Sequence, residues 1–358
     1  MEPLSCDDGR WIVLGRSVLG ASHERVGLPN QDALHPTSKT LVETGALAVS
    51  DGHGSAKSFR SDRGAQFAVE VACDLGGQLL QELSHEPHPD LSIVENRAQE
   101  QLPKAIVDAW RAKVESDFNH EPFTDEELRS LEDQSGAKAR TTVKGDPWIA
   151  YGATLLLIVF SRHWMAFIQI GDGDILCVDA SGRVQKPVQP DERLLGNETT
   201  SLAGDKPWAD FRVSTCAIDE QSPCLVLAST DGYANSFVDD AGFQQVATDI
   251  FAMISADGLG GVEHGLESWL NEASRCGSGD DVTLGLIVRS NIIPVTAAEP
   301  PAVPILTPHA VDAVEVLALP AACPDAGDVV AERSPQEMPC SAPDAGANSD
   351  QQLTRDSS

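Results

Sequence analysis

Three apolar runs in this chain abut aspartates, and that placement restricts how the strands they form can pack. Ala46-Leu47-Ala48-Val49-Ser50 leads into Asp51, and Leu225-Val226-Leu227-Ala228-Ser229-Thr230 leads into Asp231. Asp280 lies just before Val282-Thr283-Leu284-Gly285-Leu286-Ile287-Val288, and a further acidic segment, Gln31-Asp32-Ala33, lies nearer the N-terminus. Carboxylates gathered at the ends of buried strands repel one another, because unpaired buried charge is costly. Hard divalent cations bound through oxygen remove that cost. The pattern reads as a carboxylate metal site.

Composition narrows the partners. With 358 residues and 41% hydrophobic content, the chain can build a substantial core in one large domain or two. A formal charge of −30 and a pI near 4.4 argue against nucleic acid, which demands clustered Lys and Arg, and against docking on anionic lipid. Most of that acidity reads as a solvated surface. The 8 cysteines show no CxxC pair and no Cys/His zinc spacing. Cys177, inside Ile175-Leu176-Cys177-Val178, reads as a small hydrophobe. The polar, acidic opening is unlike a signal peptide, and no apolar stretch reaches the ~20 residues of a membrane span. The expectation is a cytoplasmic protein with reduced thiols and no membrane partner.

A composition break near residue 290 divides the chain into a folded region, 1–290, and a tail, 291–358, rich in Pro, Ala, Asp and Ser. The tail has too little apolar surface to offset its ordering entropy and is expected to be disordered. Within the folded region, strands are predicted at 11–18, 46–49, 154–160, 164–170, 175–179, 211–216, 224–229 and 282–288. Close spacing between 153 and 186, with a Ser181-Gly182 turn, favours antiparallel pairing over crossovers. Helices are predicted after Ser61, over about 93–119 with Pro103 as a start or kink, and over about 242–256 and 261–274. Residues 120–147, polar and charged, are expected to form a mobile insertion. Clustered helices between blocks of strands fit sheets covered by helices.

In order, these segments resemble the metal-dependent serine/threonine phosphatases of the PPM family (protein phosphatase 2C). Asp51-Gly52-His53-Gly54 matches the signature DGHG, and Tyr151-Gly152-Ala153-Thr154 with Ile170-Gly171-Asp172-Gly173-Asp174 resembles its G-T-T…GDSR pair. Ser229-Thr230-Asp231-Gly232 resembles its SDG, and Gly277-Ser278-Gly279-Asp280-Asp281-Val282-Thr283 its GSxDNxT. The resemblance implies an α+β fold, a four-layer α-β-β-α sandwich of two antiparallel sheets flanked by helices. It implies two Mn2+ or Mg2+ ions, with a weaker third, that activate a water against phosphoserine or phosphothreonine in a phosphoprotein. The implied partner is a bacterial Ser/Thr kinase or its target, in a signalling role. By position, Asp51 would bridge the ions with the Gly52 carbonyl as a further ligand. Asp231 and Asp280 would complete one shell, Asp32 would sit beside the other ion, and Asp172 would contact the third. His53 would donate the proton to the leaving alkoxide.

The chain departs from the family on the phosphate side. Gly27 stands where the family usually has an arginine, Gln31 where it has Glu, and Asn235 where some members carry a third-metal Asp. His23 and Arg25 are the substitute phosphate contacts, with Arg60 and Arg63 as weaker ones. Asp281 occupies the family's Asn position and reads as a supporting group. The segment looks like a divergent bacterial branch. Two alternatives stay open: a catalytically weak binding or regulatory module of the same fold, and hydrolysis of a small phosphoester.

Overall fold

The computed structural model describes residues 9–84, 89–191, 199–219 and 222–294. The proposed tail lies, from residue 295 onward, outside the described residues. Two antiparallel sheets form the centre. The first contains β1 (Trp11–Val18), β3 (Thr40–Val42), β7 (Asp174–Val178), β8 (Val184–Gln185), β10 (Leu225–Ser229) and β11 (Val282–Arg289), in the order β3-β1-β11-β10-β7-β8. The second contains β2 (Ala33–His35), β4 (Gly45–Ser50), β5 (Leu155–Phe160), β6 (Trp164–Ile170) and β9 (Arg212–Ala217), in the order β2-β4-β5-β6-β9.

The strands are continuous apolar runs because both of their faces are covered. Along β5, Leu156, Ile158 and Phe160 point between the sheets, where they join Trp11, Val13, Met165, Phe167 and Val226. The alternate residues Leu155, Leu157 and Val159 face outward. There they meet Ala65, Ala68, Val69 and Ala72 of α2 (Ser61–Leu83) and Ile106 and Trp110 of α4 (Leu102–His120). On the other sheet, Val226 and Ile287 point inward, while Leu225, Leu227, Leu286 and Val288 pack on α7 (Asp240–Asp257) and α8 (Gly260–Cys276). The result is the expected four-layer α-β-β-α sandwich.

The sheets pack tightly over a pair of glycines. Gly15 of β1 lies opposite Gly285 of β11. A Cβ on Gly15 would stand 2.6 Å from the Leu284 carbonyl oxygen and 2.7 Å from Leu34 Cδ2. One on Gly285 would stand 2.9 Å from Leu47 Cδ1. The bare backbone thus admits Leu34 and Leu47 from the strands that carry Asp32 and Asp51 at their ends.

Three sequence expectations change. Residues 120–147 are not a mobile insertion: α5 (Asp125–Gly145) fills most of the segment, opened by a Thr124–Glu127 capping box and interrupted at Gly136. Its few apolar residues, Leu128, Leu131, Ala139 and Val143, form a buried stripe hidden among charges. The long helix around Pro103 is α3 (Leu91–Asn96), a π-type turn at 97–101 and α4, since Pro103 has no N–H to continue the ladder. The thiols of Cys73, Cys177 and Cys216 are free, but Cys276 is disulfide-bonded, against the expectation of reduced cysteines.

Replacing Gly15 with Ala should force the sheets apart and cost about 1–3 kcal/mol of unfolding free energy. Urea denaturation reads this directly; an unchanged midpoint would mean that the sheets part without penalty.

Candidate metal centre

The site is assembled where the two sheets end together. At the end of β4 the Ser50 hydroxyl donates to the Thr154 carbonyl (2.6 Å), the Asp51 amide donates to Thr154 Oγ1 (3.0 Å), and the Thr154 amide donates to the Asp51 carbonyl (2.8 Å). Gly52 then bridges Ala153, and its amide donates to the Gln31 carbonyl at 3.0 Å. A Cβ on Gly52 would lie 2.6 Å from the Ser61 carbonyl oxygen and 2.7 Å from that of Gln31, so only glycine passes between them. Among the described residues no hydrogen-bond donor reaches the Gly52 carbonyl, and Gly52 is one of the residues that line the cavity.

The other acids arrive from separate turns. Asp231 opens the short helix α6 (Asp231–Ala234) after β10, and Asn235 Nδ2 donates to its Oδ2 at 3.0 Å. Asp172 sits exposed in the turn between β6 and β7. Asp280 is half-exposed just before β11, whereas Asp281 beside it is buried. A cavity of about 480 Å3 is lined by His23, Asp51, Gly52, His53, Asp172, Asp231, Asp280 and Asp281. Donor atoms of Asp51, Asp172 and Asp231 all lie within 4.8 Å of one another, and so do those of His23, Asp280 and Asp281.

Crowding of like charge is written into the titration. Burial, and then the charges of Asp32, Asp231, Asp280 and Asp172, hold the Asp51 carboxyl well above the ordinary carboxylate range. Asp231 is pushed up to about 6 by burial and by Asp172 and Asp280. Burial also raises Asp32 well above the usual range, opposed by hydrogen bonds from Thr283 and Thr230. Burial lowers the His53 imidazole, with Asp172 pulling the other way.

Of the residues expected at the site, Asp51, Gly52, His53, Asp172, Asp231, Asp280 and His23 share the cavity. Asp32 is not part of the lining; Thr230 Oγ1 donates to its Oδ2 at 2.8 Å. Arg25 does not come to the site. It lies on α1 (Ala21–Val26), an element the sequence reading missed, and its Nε donates to the Ala21 carbonyl on the exposed side (3.1 Å). His23 is committed to carboxylates rather than open to phosphate, with Nδ1 2.9 Å from Asp281 Oδ2 and Nε2 3.8 Å from Asp280 Oδ1. Arg60 is buried against Glu127 and Tyr151, and Arg63 pairs with Asp117 and Glu121. The sequence reading also missed Thr154 and Thr230; each stands in or beside a matched segment, which was the available signal.

Residues 19–271 match the family model described as protein phosphatase 2C. No curated protein sequence matches. Solved structures similar to this chain include the catalytic domain of the serine/threonine phosphatase PstP in complex with two manganese ions. It is 18% identical, covers 78% of this chain and 98% of that one, and has a TM-score of 0.44. Others are PstP/Ppp of Mycobacterium tuberculosis (17% identity, 78% and 98% coverage, TM-score 0.45) and PppA of Pseudomonas aeruginosa (15%, 78% and 97%, 0.41). The family match spans most of the sequence and takes in Asp32, Asp51, Asp172 and Asp231, with Asp280 just beyond it, and on that match the chain belongs to the protein phosphatase 2C family.

Proposed function

We propose that this chain is a metal-dependent phosphatase that hydrolyses phosphoserine and phosphothreonine esters in proteins. The observation that carries the reading is the convergence of Asp51, Asp172 and Asp231 within 4.8 Å in one cavity with Asp280. An Asp51 carboxyl raised in pKa by burial and by the charges of Asp32, Asp231, Asp280 and Asp172, beside a backbone carbonyl without a described donor, fits hard divalent cations bound through oxygen. Asp51, the Gly52 carbonyl, Asp231 and Asp280 would hold two Mn2+ or Mg2+ ions. Asp32 would stand near the second ion, and Asp172 would lie toward a weaker third. When bound, such ions lower the pKa of a shared water and neutralise charge on the phosphoryl oxygens.

The chain's own side chains do the rest. Paired bonds to Thr154 fix the Asp51 backbone, so its carboxylate needs little reorganisation. Burial lowers the pKa of His53, while the charge of Asp172 in the same cavity favours the protonated ring. As the imidazolium, His53 would deliver a proton to the leaving alkoxide and remain as neutral imidazole. A cysteine nucleophile is not needed. The Cys-x5-Arg spacing from Cys177 to Arg183 is incidental, since burial holds the Cys177 thiol far above its ordinary pKa and Arg183 pairs with Asp179 at 3.3 Å.

The cavity has no arginine among its described lining residues, and that favours a second reading, a catalytically weak binding or regulatory module. The proposal extends to a cytoplasmic phosphoprotein partner, a Ser/Thr kinase or its target, with neither nucleic acid nor membrane involved. The net charge of −30 supports the last point. Among the described residues no helix is long and apolar enough to cross a membrane.

Mn2+ should release phosphate from a phosphothreonine peptide, and Asp231→Asn should reduce release to background; equal inactivity of both across divalent metals would leave only the binding module. His53→Gln should lower kcat on the peptide by about 100-fold or more. Its effect on p-nitrophenyl phosphate, whose leaving group needs no proton, should be smaller. An equal loss on both substrates would remove His53 from the acid role.

Metal binding should also appear in thermal melts. In the metal-free fold Asp231 holds its proton to about pH 6, whereas its ordinary pKa is 3.8. The unfolded chain therefore binds fewer protons in that interval, and this group's contribution to stability falls as pH rises through it. A bound cation reverses the penalty, so the gain in Tm on adding Mn2+ should grow from pH 5 to pH 7. Asp231→Asn should raise the metal-free Tm at pH 7 and shrink the gain. A gain that is flat with pH, or undiminished in the variant, would contradict a cation at this carboxylate.

A further inference from the structure

We propose that His23 is a nitrogen ligand to the divalent cation bound at Asp280, which gives one position of the centre a mixed imidazole–carboxylate shell. The inference rests on the reading that the cavity holds divalent cations. It adds a ligand type to a site otherwise built from oxygen.

His23 is fixed on the segment that carries Asp280. The Ala21 amide donates to Ser274 Oγ (3.0 Å), and the Ser22 amide and hydroxyl both donate to the Gly279 carbonyl (2.8 and 2.5 Å). The Gly20 amide donates to Asp281 Oδ1 at 2.6 Å. These bonds dock α1 onto residues 274–281, and the His23 side chain is only 14% exposed.

The imidazole is also oriented. Asp281 already accepts from the Gly20 and Gln31 amides (2.6 and 2.7 Å), as an ionised carboxylate does. Its Oδ2 lies 2.9 Å from His23 Nδ1, so Nδ1 carries the proton and donates. In the neutral ring, Nε2 then presents its lone pair toward Asp280 Oδ1, 3.8 Å away. Two donors that bind one first-row cation at about 2.1–2.2 Å stand roughly 3–4 Å apart, which includes this spacing. A carboxylate that holds the far nitrogen of a ligating histidine is a recurrent device for fixing ring and tautomer.

The alternative uses of His23 fit less well. A phosphate oxygen at Nε2 would lie against the Asp280 carboxylate. A bare ion pair would need none of the anchoring that holds His23 in the lining of the same cavity as Asp51 and Asp231. An imidazole in the shell favours borderline cations such as Co2+ and Zn2+ over Mg2+ at this position.

Pulsed EPR of the full chain loaded with Mn2+ tests the proposal without relying on activity. The spectrum should contain the nitrogen coupling of a coordinated imidazole, which disappears in His23→Gln and survives in His53→Gln. By calorimetry, His23→Gln should lower Co2+ affinity by about 10–100-fold and leave Mg2+ affinity nearly unchanged. If His23→Gln does not fold by circular dichroism, His23→Asn replaces it. The wild-type spectrum is decisive by itself: bound Mn2+ without nitrogen coupling overturns the proposal while the metal-dependent reading stands. A coupling that persists in His23→Gln and vanishes in His53→Gln overturns it as well. If the signal of free aqueous Mn2+ stays at full strength in the presence of protein, no ion is bound and both readings fall.

Discussion

Asp281 ties together the parts of the chain that the site needs. Its carboxylate accepts from the Gly20 amide after β1, from the Gln31 amide before β2 and from His23, at 2.6, 2.7 and 2.9 Å. Charge-assisted bonds of this kind are about twice as strong as neutral ones, and three donors satisfy a buried charge that would otherwise be costly. The consequences spread outward. Gln31, once held, offers its carbonyl to the Gly52 amide, and Gly52 pairs with Ala153 beside the Thr154 bonds that fix Asp51. One buried acid just before β11 thus sets the backbone of acids that flank strands of the other sheet.

The same arrangement sets stability against function. Asp32, Asp51 and Asp231 all have pKa values raised by burial and by the charges of neighbouring carboxylates, so the metal-free fold carries a strain at the ends of its strands. The sandwich can hold that strain because its strands are buried on both faces and its acids sit just past their ends. The close approach of Leu34 and Leu47 to Gly15 and Gly285 adds packing next to the repulsive cluster. Packing resists separation of the sheets, while the acids keep access to the cavity.

Much of this was legible in the sequence, for identifiable reasons. Strands covered on both faces appear as unbroken apolar runs, and β1 and β6 have the bounds expected of them. β2 and β3, of 3 residues each, are too short for periodicity to register. In α5 a sparse buried stripe was masked by surrounding charge. At the site, each acid's position beside an apolar run or a turn marked it. The phosphate side depends on tertiary contacts that the sequence does not display: Arg25 bonds back to the Ala21 carbonyl on the exposed side, and His23 finds its partner 258 residues away.

The absence of arginine from the described lining has a further consequence for how substrate is held. Apart from the imidazoles of His23 and His53, the titratable side chains of that lining are carboxylates, and alone they would repel a phosphate dianion. On the proposed reading, attraction for the phosphoryl group comes from the bound cations, so metal and substrate bind with positive linkage: each raises the apparent affinity for the other. An arginine in the lining would keep some attraction for phosphate when a metal leaves, but this cavity would lose it with the ion. The carboxylates that strain the metal-free fold would thereby make substrate capture conditional on the metal.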